Sequence, residues 1–314
     1  MFRRLFSQFR NSSLVHATGI YTFTGIINGS VIFFLLPILT RYLSPEEYGL
    51  VSMFRVLVSF AFPLIGFFQS VGREYFDRER LDFPAYVANV LLTIFVNAGM
   101  VGIILYLLSG SIYNLTSFPA VWLWAVLLFA LGKSLVQSVL VLWRVQVKPK
   151  PYGSFQISQS LTAFVMAIVL VVALKLGWKG AIKADAFAMG LFGLLAIYFI
   201  HRAGLIRLSF NLSYIRDIFL FSAPLILHSW GRTIVTMADR VFITKMVGIG
   251  DTGLYAAGYQ VGMIIFLVTQ SFNNAWVPYL FGRLKEDDER SKLKIVRFTY
   301  TIFPVFLARL WCWD

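Results

Sequence analysis

The chain of 314 residues is 58% hydrophobic and 14% charged, with a mean hydropathy of +0.74. A soluble globule has about half its residues apolar and about a quarter charged, so the composition places the chain in a membrane and excludes disorder, a coiled coil and a collagen-like fibre. The net charge of +13 is read as loop and lipid-facing charge of a polytopic protein, with membrane lipids as partners and no nucleic acid.

A hydrocarbon core about 30 Å thick asks for about 20 mostly apolar residues per helix. Runs of that length predict spans over 18–40, 48–71, 84–108, 119–142, 154–175, 181–200, 217–239 and 253–277, with a short ninth at 296–310. The fold class expected is therefore an all-α polytopic membrane protein. The first run is too long for a signal-peptide core and stays as a helix. With the N-terminus in the cytoplasm, eighteen Lys and Arg fall inside against six outside, a strong positive-inside bias. Trp122, Trp124, Trp143, Trp178 and Trp276 sit at predicted span ends, where amphipathic rings favour headgroups. Trp230 is the exception, in mid-span. The single cysteine, Cys312, excludes an intrachain disulfide and a cysteine-built metal site. No cofactor or metal is expected, and the short loops leave no room for a soluble catalytic domain.

Sliding the sequence on itself by 204 residues pairs Leu39–Leu57 with Ile243–Val261. Thr40, Gly49 and Leu50 meet Thr244, Gly253 and Leu254, while Arg41 meets Lys245 and Glu47 meets Asp251. Both segments form an outside turn that enters the next span through Gly-Leu. Six spans separate them, so the copies run in the same direction, as in parallel repeats. This predicts a first six-helix bundle over 1–205 and a partial second bundle over 206–314.

The stretches LTRYLSPEEYGL at Leu39–Leu50, ADRVFI at Ala238–Ile243 and TGLYAAGY at Thr252–Tyr259 resemble the oligosaccharide (O-antigen) flippases of the multidrug/oligosaccharidyl-lipid/polysaccharide exporter superfamily. The resemblance implies two bundles around a central cavity. It also implies transport of a polyprenyl-diphosphate-linked oligosaccharide across the inner membrane by alternating access, for polysaccharide or lipopolysaccharide synthesis and in possible contact with other assembly proteins. Arg41, Gly49, Asp239, Arg240, Gly253 and Tyr255 are the family-motif positions, expected to be structural. A second bundle as long as the first would end near residue 410, so the chain reads as truncated or frameshifted.

An ionisable residue deep in a span costs at least about 2.5–3.5 kcal/mol on insertion scales and therefore marks protein contacts or a wet cavity. Arg55, Lys133 and Arg232 are the expected substrate-binding cations, since guanidinium and ammonium groups suit a diphosphate. Snorkelling or pairing with helix carbonyls is the structural alternative. Asp185 is a candidate for ion coupling or for an interface. Gly25 and Gly29 fit close helix packing, Pro37, Pro63 and Pro224 fit kinks, and His228 fits packing. A multidrug exporter would favour acidic cavity residues, and a polymerase or glycosyltransferase needs substantial catalytic loops. The sequence favours neither. A fragment without activity of its own is the remaining alternative.

Overall fold

The computed structural model describes residues 13–207 and 209–263, with isolated positions 296 and 300. In chain order it contains α1 (Ser13–Tyr42), α2 (Pro45–Ile65), the short α3 (Gln69–Glu74), α4 (Phe83–Leu107), α5 (Ser109–Thr116), α6 (Leu123–Val145), α7 (Pro149–Ala167), α8 (Gly177–Arg202) and α9 (Leu212–Met246). A further helix, α10, covers 249–263. Among the described residues seven helices are long and apolar enough to cross a membrane: α1, α2, α4, α6, α7 with its extension to Ala173, α8 and α9. They correspond to the first seven predicted spans. The eighth is described only as far as residue 263, and the ninth, the basic segment before it and Cys312 lie outside the described residues.

Local chemistry fixes several boundaries. Ser44 caps α2: its hydroxyl accepts from Glu47 N at 3.2 Å, and Glu47 returns a bond to Ser44 N at 3.2 Å, with Pro45 opening the helix. This capping box adds a first turn to the predicted span. Asp82 caps α4 through Ala85 N at 3.2 Å, and α7 loosens into a π turn at Ile168–Ala173. Ser117 ends α5 in the left-handed region at φ 54°. α9 is 35 residues long, about 52 Å at 1.5 Å per residue. The charges that ended the predicted span at 217 and 239 are helical, paired residues.

Small residues set the tightest packing. A Cβ on Gly132 of α6 would lie 2.3 Å from Met189 O of α8, and one on Gly193 would lie 3.0 Å from Gly132 Cα. Close backbone approach of this kind is how membrane helices associate without a hydrophobic drive between them. α1 leans on α7 at Gly153 and through the Tyr21–Tyr152 edge contact at 4.8 Å. Gly25 does not share this role: a Cβ there would meet nothing within 4 Å. The buried core runs through α2, α4, α6 and α8, with Phe54, Tyr86, Phe118 and Ile182 nearly inaccessible. Residues Met1–Gln260 form one compact unit, so α9 is packed onto the helices before it.

Candidate functional site

α2 and α9 run antiparallel along one seam. Trp230 donates its indole N–H to Phe60 O at 3.1 Å, which satisfies the ring that the hydropathy pattern left in mid-span. Phe67 stacks near Phe219 at 4.8 Å. Between these levels a small cavity of about 30 Å³ is bordered by Phe62, Pro63, Gly66, Gln69, Ser222 and Ser229.

Tyr48, Arg55 and Phe62 are seven residues apart on α2 and therefore share one stripe, with a drift of about 20° per step. Each step descends about 10 Å. Arg55 is half-buried and within electrostatic reach of both Tyr48 and Asp185. Lys133 of α6 is half-buried two turns deeper, with Nζ 4.5 Å from the centroid of the Phe62 ring. Neither Arg55, Lys133 nor Arg232 belongs to any ion pair among the described residues. The structure thus sets Asp185 within electrostatic reach of Arg55 without an ion pair between them, and Lys133 along the same stripe. Arg232 is exposed on α9, as is His228.

The motif residues gather at one end of the seam, the end predicted from the sequence to face outside. Arg240 is 7% exposed. It donates to Thr236 O at 2.9 Å, lies 3.6 Å from the Asp239 carboxylate, and faces the Tyr259 ring at 4.5 Å and the Tyr255 ring at 6.0 Å. Asp239 accepts the Tyr255 hydroxyl. Tyr48 donates to Gln260 Oε1 at 2.8 Å. Arg41 is exposed. Gly49 and Gly253 are buried at a crossing of α2 with α10: a Cβ on Gly49 would lie 2.1 Å from Ile249 O, and one on Gly253 would lie 1.9 Å from Pro45 O. The 204-residue offset pairs Pro45 with Ile249 and Gly49 with Gly253. The contact is reciprocal, as an axis of approximate twofold symmetry requires.

A second polar cluster, absent from the sequence reading, lies at the opposite end of the seam. Arg73 binds Glu74 at 2.5 Å and also Asp217, while Tyr86 donates to Asp217 at 3.0 Å. The Arg73 guanidinium lies 4.4 Å from the Phe221 ring centroid. Burial works against the Arg73 charge, but Glu74 and Asp217 hold its pKa above the ordinary value. Asn89 donates to Ser209 O at 2.6 Å and accepts from Asn211 N at 3.1 Å. Arg207 pairs with Asp82 at 3.0 Å. Apart from the neighbours Arg73 and Glu74, these partners are more than 100 residues apart in the chain, and the available signal was an Asn in an apolar span. Among the described residues no three His, Cys, Asp or Glu side chains are grouped to hold a metal.

Seven helices long and apolar enough to cross a membrane, among the described residues, define an all-α, multi-pass membrane protein. Residues 14–282 match the family of polysaccharide biosynthesis proteins, and the chain belongs to that family. It is 24% identical over 294 residues to Lsg locus putative protein 1 of Haemophilus influenzae, an alignment covering 89% of this chain and 69% of that protein. A second H. influenzae relative, named as an uncharacterized membrane protein, is 22% identical over 285 residues, covering 89% and 68%. A solved structure named protein A shares the fold with a TM-score of 0.58 and 14% identity over 82% of this chain. The chain spans a little over two thirds of the length of these curated relatives and 63% of that solved chain.

Proposed function

We propose that this protein flips a polyprenyl-diphosphate-linked oligosaccharide across the cytoplasmic membrane for surface polysaccharide synthesis, acting as a transporter rather than an enzyme. In this reading the N-terminus is cytoplasmic, and the halves 1–205 and 206–314 rock against each other around a shared site. The observation that carries it is the pair of cations, Arg55 and Lys133, held half-buried along one stripe within the bundle with no carboxylate among the described residues in salt-bridge contact. Such charges are expensive in a membrane and suit a cavity that receives an anion. Family membership supplies the glycan context. Asp185, near Arg55, is the candidate for coupling to an ion. Partner proteins of polysaccharide assembly belong to the same proposal.

The test is complementation of a strain lacking its own flippase, using the intact gene product. Arg55→Ala and Lys133→Ala are expected to abolish surface polysaccharide while leaving membrane abundance near that of the parent. Normal export by both variants at normal abundance would return these cations to a packing role.

A further inference from the structure

Among the described residues Arg240, 7% exposed, is the one charged residue in the buried core. Its surroundings are aromatic: Tyr259 at 4.5 Å and Tyr255 at 6.0 Å, the two rings themselves 6.2 Å apart on successive turns of α10. Tyrosines at a membrane interface usually turn their hydroxyls to the lipid headgroups. Here the Tyr255 hydroxyl is taken by Asp239, and the Tyr259 ring is covered on one side by the Arg240 guanidinium. Both rings lie against α9 through Asp239 and Arg240, yet each residue keeps 37% of its surface exposed. They are therefore fixed aromatic faces with open area.

Their position follows from the glycine crossing. Tyr259 lies six residues beyond Gly253, as Arg55 lies six residues beyond Gly49. Helices that cross reciprocally place those two residues at the same depth, about 9 Å from the crossing. Tyr48 and Gln260 bridge the two helices between them at 2.8 Å. The cation of one half thus shares its level with the aromatic face of the other.

We propose that Tyr255 and Tyr259, held by Asp239 and Arg240, form a carbohydrate-stacking platform for a sugar ring of the lipid-linked glycan, next to the Arg55 stretch of α2. A pyranose presents a face of C–H bonds polarised by its oxygens, which packs on the negative face of an aromatic ring. Rings already locked in place lose little freedom on binding. The platform rests on the flippase reading and adds the glycan to the diphosphate as a recognised part of the cargo.

Two probes separate the claims: geranyl diphosphate, and geranyl diphosphate carrying one N-acetylglucosamine, each titrated onto the full chain in nanodiscs. The sugar-bearing probe is expected to bind about tenfold more tightly than the bare one. That preference should vanish in the Tyr255→Ala/Tyr259→Ala double variant and persist in Tyr255→Phe/Tyr259→Phe, which keeps the rings. Arg55→Ala should weaken both probes alike. If the bare probe binds but the sugar adds nothing, or its advantage survives the double alanine change, the platform is wrong and the diphosphate site stands. If neither probe binds, the flippase reading fails and the platform with it.

Discussion

Asn89 is 1% exposed, and its amide holds the connector before α9 by one donated and one accepted bond, to Ser209 O and from Asn211 N. Removing it takes two hydrogen bonds from that connector, so Asn89→Ala is expected to cost about 0.5–1.5 kcal/mol, read as a lower unfolding temperature in detergent. An unchanged melt would show the connector held elsewhere. At this scale the sequence was partly legible. The costs of burying Arg55 and Lys133 in lipid flagged them, because an intramembrane charge stands out against apolar neighbours. Arg240 looked like a span end, since nothing local reveals that Tyr255 and Tyr259 will wall it in. Asp217, Tyr86 and Arg73 carried no mark at all: each is ordinary alone and acquires meaning from residues far along the chain.

α9 illustrates the same limit for an element. Its hydropathy falls where Asp217 and Arg240 enter, so a span of 23 residues was predicted where the helix has 35. Hydropathy measures transfer from water, and it cannot register that Arg73 neutralises Asp217 or that Thr236 and Asp239 receive Arg240. The end of the α2–α9 seam near Asp217 is consequently held by charge. Arg73→Asp should open it: with Cys312 replaced, a cysteine at Ser229 should react with a water-soluble maleimide several-fold faster. Arg73→Asp/Asp217→Arg should bring the rate back, because an exchanged pair restores the attraction. Failure of the double exchange to slow labelling would mean the pair does not hold the seam shut. The capping box before α2, in contrast, was written in the order Ser44-Pro45-Glu46-Glu47 and needs no distant partner.

For the whole molecule, the alternation of loops was the most legible feature, since hydrophobic length and a 30 Å bilayer leave little choice. Contacts between distant segments respect it. Asp82 meets Arg207, and Arg73 meets Asp217, all on predicted inside segments. Glu47 meets Trp178 N, and Lys245 meets Asn114 O, all on predicted outside segments. The sign of the orientation rests on the basic residues. Single cysteines at Ser111 and Lys148, in a chain without Cys312, are expected to react from outside only at Ser111. The reverse pattern would invert the topology. The repeat was legible only as a faint echo in the sequence, and its physical content lies in the contact between Gly49 and Gly253. Two backbones in direct contact behave as a bearing that fixes the distance between its shafts. A methyl group on either glycine acts as a wedge, costing about 1–3 kcal/mol. Because one contact carries both, the thermal penalties of Gly49→Ala and Gly253→Ala should sum to more than that of the double variant. Full additivity would show two separate seats. A turn of a few degrees at this bearing would carry the far end of α2, about 24 Å along the helix from Gly49 at 1.5 Å per residue, through an arc of about 1–2 Å.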